Sequence, residues 1–253
     1  MQPSFFLTSP DYTANLKRVQ SWIDDACRSV GRSPKEVELI AVSKTKPIEA
    51  IRQVYAAGQR SFGENRMQEL QQKMDELSDL DITWHFLGNI QTNKLKTICH
   101  RVDVIQSVDK VKYLHEIEKR AAASNRSIAT YLQINISDEP QKGGFDPNTF
   151  LEIASDLPTF EHVRVEGVMA MASLTHDQEL LRKQFQTLYS LFLALKEVNH
   201  PNFEIKTCSM GMSGDLDLAI AEGSTQCRIG SSIFGPRNTL SFDSPTQETT
   251  PKD

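Results

Sequence analysis

Apolar residues recur along this chain in two alternating rhythms. Short runs dense in β-branched and aromatic residues read as buried strands: LIAVSK (39–44), RSFGE (60–64), ITWHFLG (82–88), VDVIQSV (102–108), ATYLQINI (129–136), VRVEGVMAM (163–171), FEIKTCSMG (203–211) and TQCRIGSSIFG (225–235). Helical periods fall between them. Leu16, Val19, Ile23, Cys27 and Val30 form one stripe that Gly31 ends. A second helix runs from Pro47 to about Ala57, with Gly58 as its stop. The polar segment 65–78 keeps Met67, Leu70, Met74 and Leu77 on one face, and TNKLK (92–96) supplies a basic helical turn. Further helices are predicted over 110–123, from Pro147 onward, through the stripe Leu181, Phe185, Leu188, Phe192 and Leu195, and over 213–223.

Eight strand–helix alternations with no antiparallel-looking segment predict an α/β protein, a single (β/α)8 TIM-type barrel with an extra N-terminal helix. The barrel is expected to occupy residues 1–237. The Pro- and Thr-rich remainder, 238–253, reads as a disordered polar C-terminal tail. A doubly wound sheet is the runner-up, weakened because no GxGxxG follows the first strand.

Composition narrows the classes without changing this picture. The 253 residues carry a net charge of −5, so no broad basic field invites nucleic acid or an anionic membrane. No apolar run approaches a membrane span, and MQPSFFLTSPD is a poor signal peptide. Cys27, Cys99, Cys208 and Cys227 are scattered without metal-ligand spacing, which reads as reduced thiols in the cytoplasm.

Chemistry in such a barrel belongs at the C-terminal ends of the strands. The stretch AVSKTKP (41–47) places Lys44 and Lys46 there. Either could be a solvated rim charge, or a desolvated amine able to attack an aldehyde. Alternation puts Val42 and Lys44 on one face, and Pro47 opens the next helix, so Lys44 is the better inward candidate. The loops after strands seven and eight, CSMGMSGD and RIGSSIFG, are built of small residues that let an anion approach the main chain. Ser209, Gly211, Ser213, Gly230 and Ser231 are the phosphate-site candidates; capping and turn formation are the plain alternatives. Arg228, at the end of strand eight, would be buried and in need of an anion, a planar acceptor or an acidic side chain. Lysine, phosphate site and arginine together suggest an aldehyde-bearing phosphate ester, pyridoxal 5′-phosphate (PLP) above all.

At this point the chain resembles the YggS/PROSC family of pyridoxal phosphate homeostasis proteins, whose fold is similar to the barrel domain of alanine racemase. The resemblance runs from about Leu16 to Arg237 and is carried by AVSKTKP (41–47), FGENRMQE (62–69), WHFLGNIQTNK (84–94), GVMAMAS (167–173), SMGMSGD (209–215) and RIGSSIFG (228–235). It implies a covalent aldimine between PLP and Lys44, with Arg228 facing the pyridine nitrogen. It also implies a phosphate held by Ser209, Met210, Gly211, Gly230 and Ser231. Asn65, Met169 and, as a weaker carry-over, His85 are implied near the cofactor. Ala170 and Ser173 stand where threonine and proline are frequent in the family, and Arg66 where tyrosine is common.

An arginine at the pyridine nitrogen can only donate, so it leaves that nitrogen unprotonated and the ring a weak electron sink. A racemase also needs a second acid/base, and the chain ends about twenty residues after its last barrel strand. Tyr55, Tyr113, Tyr131 and Tyr189 sit in helix or strand patterns that favour core packing. The expectation is a cytoplasmic, monomeric, non-catalytic PLP-binding protein of vitamin B6 and amino-acid homeostasis. Its partners would be PLP and PLP-dependent apoenzymes, with no nucleic acid, membrane or metal. The alternative is an amino-acid racemase using an internal acid/base. An aldolase-type Schiff-base barrel is a more distant third.

Overall fold

The computed structural model describes residues 10–137, 139 and 142–236. Eight parallel strands close on themselves in sequence order: β1 (Glu38–Val42), β2 (Ser61–Glu64), β3 (Thr83–Phe86), β4 (Val104–Val108), β5 (Ile128–Gln133), β6 (Val163–Met169), β7 (Phe203–Ser209) and β8 (Gln226–Ile229). The last strand returns to the first, with Leu39 opposite Cys227 and Ile40 opposite Arg228. The strands are covered on both faces, and β4, β5 and β8 are buried at every position, their polar Gln106, Ser107, Gln226 and Arg228 included.

The helices form the outer layer: α1 (Tyr12–Ser29), α2 (Ile48–Ala56), α3 (Met67–Glu76), α4 (Thr92–Ile98), α5 (Val111–Ala122), α6 (Phe150–Ser155), α7 (Gln178–Lys196), α8 (Leu216–Ala221) and the single turn α9 (Ser231–Phe234). Because α9 is only a turn, α1 takes the place of the eighth ring helix, packing against α8, α9 and α2. Polar ties secure it. Asn15 donates to the Ile233 carbonyl at 2.9 Å, and the Trp22 indole N–H donates to Asp217 at 2.7 Å. Asp11 caps its N-terminus through the Ala14 N–H.

Among the boundaries that differ from the sequence reading, three have a clear local cause. The first strand stops at Val42, because residues 43–46 close a turn in which the Lys46 N–H donates to the Ser43 carbonyl at 3.0 Å. The run 225–235 is strand only to Ile229 and then coils into α9, ended by Gly235 at φ +78°. Pro147 precedes its helix instead of opening it, since α6 starts at Phe150. The predicted tail, 238–253, lies outside the described residues.

Candidate functional site

The C-terminal ends of the strands open on a cavity of about 990 Å³. Its wall contains Val42, Lys44, Asn65, Met169, Ser213, Arg228, Gly230 and Ser231 from the predicted set. Lys46, Arg66, Gln68, Asn89, Gln91 and Lys94 add polar groups, and Met171, Leu174 and Met212 an apolar edge. A smaller recess of about 270 Å³ lies at the opposite end of the strands, beneath Glu38 and Ser61, and contains none of the predicted residues.

Each wall residue is set in place by its element. Lys44 is a central residue of the 43–46 turn and not the strand residue that alternation placed beside Val42. Lys46 also reaches the cavity, but its ammonium donates to the carbonyls of Gly235 at 3.1 Å and Pro236 at 2.6 Å. Burial holds its pKa below the usual lysine range. Asn65 follows β2 and lies hard against Gly88, where a Cβ would come within 1.9 Å of the Asn65 carbonyl oxygen. Only glycine lets these two strand ends approach so closely.

Arg228 is 6% exposed and its guanidinium is held by two neutral acceptors. Nη1 donates to Ser209 Oγ at 2.7 Å and Nη2 to the Ala170 carbonyl at 2.7 Å. Burial lowers its pKa from the ordinary arginine value, while Asp215 and two neighbouring thiols act on it electrostatically in the other direction. No carboxylate among the described residues forms an ion pair with it. A buried cation so placed favours an anionic or electron-rich group arriving from the cavity.

Ser213 and Ser231 bring the two small-residue loops together, their hydroxyl oxygens 3.4 Å apart. Gly230 lies between them against Val42, where a Cβ would stand 3.1 Å from the Val42 carbonyl oxygen. An amine, a buried guanidinium, paired hydroxyls and an open glycine backbone form a donor set that fits an aldehyde-bearing phosphate ester.

Four predicted residues lie elsewhere. Ser209 is fully buried, and its hydroxyl donates to Gln106 Oε1 at 2.8 Å while accepting from Arg228, so it braces the arginine from behind. Met210 is a core side chain. Gly211, at φ +95°, turns the chain beneath Ala219 and Cys227, a conformation that suits glycine. His85 is inside the barrel below the cavity, with Nδ1 against the Gln106 amide at 2.9 Å. None of these four residues is in the cavity wall.

Sequence reading missed the apolar edge and most of the polar rim. Lys94 was visible as part of the TNKLK patch, whereas exposed Leu174 and Met212 sit in loops with no periodic pattern. Among the described residues the cavity wall holds no Tyr, His, Cys, Asp or Glu. Tyr131 is inside the barrel, 3.4 Å from Gln226, and Tyr55, Tyr113 and Tyr189 are on outer helices. All four cysteines are buried and free, no cluster of metal-ligating residues occurs among the described residues, and no helix described is long and apolar enough to cross a membrane.

The alanine racemase N-terminal domain model matches residues 15–238. A pyridoxal phosphate homeostasis protein of Haemophilus influenzae is 38% identical over 226 residues, covering 88% of this chain and 95% of that one. Two structures of PipY from Synechococcus elongatus are 36% identical and superpose over 88% of this chain and all of theirs. The TM-score is 0.80 for the form without PLP and 0.75 for the form with PLP bound.

Proposed function

The chain belongs to the family of pyridoxal phosphate homeostasis proteins, built on the alanine racemase N-terminal domain, and on that premise we propose that it binds PLP in the cavity at the strand ends. Lys44 holds the cofactor covalently as an aldimine, Arg228 faces the pyridine nitrogen, and Ser213, Gly230 and Ser231 hold the phosphate. The observation that carries this reading is the convergence of Lys44, Arg228 and the two small-residue loops on one cavity wall. Lys46 also reaches this wall, and the resemblance carried by AVSKTKP is what assigns the aldimine to Lys44.

We propose further that the protein retains and hands on PLP in vitamin B6 and amino-acid homeostasis, with no robust catalysis of its own. When bound, PLP supplies an electrophilic aldehyde and an electron-withdrawing ring. Arg228 has no proton to give up and can only donate to the ring nitrogen, so it does little to deepen the electron sink. A second acid/base opposite Lys44 would be needed to move a substrate proton on both faces. The carboxylates, imidazoles and phenols that ordinarily do this work are not in the described wall. The cytoplasm is the compartment proposed, and PLP-dependent apoenzymes are the proposed recipients.

The test is an absorption spectrum of the purified protein before and after borohydride, beside Lys44→Ala. A yellow band that reduction removes and the variant lacks is the expected result. A wild type that neither carries nor takes up PLP overturns the reading. Saturable amino-acid racemisation that vanishes in Lys44→Ala would overturn the non-catalytic part alone.

A further inference from the structure

Behind the cavity lysine lies a buried ionic cluster outside the cavity wall. Lys73 is only 4% exposed and shares the inward face of α3 with Leu70 and Met74. Its ammonium donates to Glu64 Oε1 at 2.6 Å, to Glu69 Oε1 at 2.7 Å and to the Ser43 carbonyl at 2.8 Å. Two carboxylates thus share one cation, so removing the cation would leave like charges together in the interior. Burial pushes the Glu64 carboxyl up to about 7 against the pull of Lys73.

The cluster grips the residues on either side of Lys44. The Ser43 hydroxyl donates to Glu64 Oε1 at 2.6 Å, and the Thr45 N–H donates to Glu69 Oε1 at 2.5 Å. Between them, Lys44 and Thr45 occupy the central positions of the turn closed by Lys46 N–H to the Ser43 carbonyl. Thr45 has φ +64°, the left-handed region that a type II turn requires at its third residue and that glycine normally supplies. A β-branched residue is strained there and persists only where its surroundings hold it. Its buried hydroxyl oxygen has no hydrogen-bond partner, so the side chain itself does not repay the strain.

We infer that Lys73 is a positioning residue for Lys44: with Glu64 and Glu69 it clamps a strained turn in the shape that delivers Lys44 to the cavity. The inference rests on the reading of Lys44 as the PLP-holding residue. Lys73 is not in the cavity wall; it acts through the backbone of Ser43 and, by way of Glu69, through that of Thr45.

The experiment is a PLP titration of cofactor-free protein, followed by the visible absorption band, for wild type, Lys44→Ala, Lys73→Met and Lys73→Met/Thr45→Gly. Lys73→Met is expected to need roughly tenfold more PLP for half-saturation. Thr45→Gly in that background is expected to recover most of the loss, because glycine adopts the turn without strain and needs no clamp. A residue that merely stabilises the fold would lower the melting temperature of both variants and leave uptake alone. Wild-type uptake by Lys73→Met therefore overturns the inference, and so does a loss that Thr45→Gly fails to recover. Should Lys73→Met not fold, Glu69→Ala decides in the same titration, since it removes the acceptor of the Thr45 N–H at a partly exposed side chain: weakened uptake supports the inference and unchanged uptake overturns it. A wild type that takes up no PLP, or a Lys44→Ala variant that takes it up normally, overturns the underlying reading instead.

Discussion

His85 allows the electrostatics of the barrel interior to be worked through to a number. The ring is 2% exposed on β3, with Nδ1 2.9 Å from the Gln106 amide nitrogen. That same amide nitrogen donates to Gln226 Oε1 at 2.7 Å, while the Gln106 oxygen accepts from Ser209. The amide orientation makes Nδ1 an acceptor and puts the ring proton on Nε2, which has no hydrogen-bond partner. A second proton would have to arrive at Nδ1, opposite an N–H donor. Burial accordingly pulls the His85 pKa down to about 4, with the Glu38 carboxylate pulling the other way.

An unfolded histidine takes up its proton near pH 6.5, so the unfolded chain is protonated first as pH falls. Stability from the neutral buried ring is fully present above that value and is lost on the way down to pH 4. The loss amounts to about 2 kcal/mol at pH 5 and about 3 kcal/mol at pH 4. Glu64 works in the opposite sense. Its folded-state pKa of about 7 means the native state keeps a proton that the unfolded chain releases, so its contribution falls as pH rises from about 4.5 to 7. The two slopes oppose each other in the wild type, and only a difference measurement separates them. Urea unfolding of wild type and His85→Gln at pH 8, 6 and 5 is the assay. The stability of wild type relative to His85→Gln is expected to fall by about 2 kcal/mol between pH 8 and pH 5. A difference that stays constant across that range would refute the claim that burial keeps this ring neutral.

Two further substitutions probe how the frame supports the cavity. Gly88→Ala drives a methyl group into the Asn65 carbonyl, 1.9 Å away before relaxation, so urea unfolding should show a loss of about 1–3 kcal/mol and PLP uptake should weaken as Asn65 is displaced. Leu16→Ala empties a fully buried position on α1, and about 2–5 kcal/mol should be lost in the same unfolding assay. Because α1 belongs to the outer ring and no residue of it lines the cavity, PLP half-saturation in the folded Leu16→Ala protein should match wild type.

Much of the site was readable because its signals are local. AVSKTKP announced a lysine at a strand end, and the runs SMGMSGD and RIGSSIFG announced two loops that an anion could approach. One legible signal was passed over: Lys73 interrupts the apolar stripe of Leu70, Met74 and Leu77, and a lysine on such a face is buried with partners or not buried at all. The small-residue loop points to Ser209 and the resemblance to His85, yet their partners are Arg228 and Gln106, and Gln106 lies 103 positions from Ser209. No periodicity could have shown that pairing.

The sequence by itself determined the alternation of eight strands with helices, and with it the closed parallel barrel, because period-two and period-3.6 patterns act within a few residues of one another. Only the tertiary structure decided which side chains meet. Alternation predicts a residue's face only while a strand persists, and β1 ends two residues before Lys44. From there the lysine's placement depends on a turn braced by Glu69 and Lys73, and its company on the pairing of β1 with β8, which brings Arg228 alongside. The turn contacts join residues 24 and 30 positions apart, beyond the reach of any strand or helix period, and the pairing of Ile40 with Arg228 exists only once the barrel has closed.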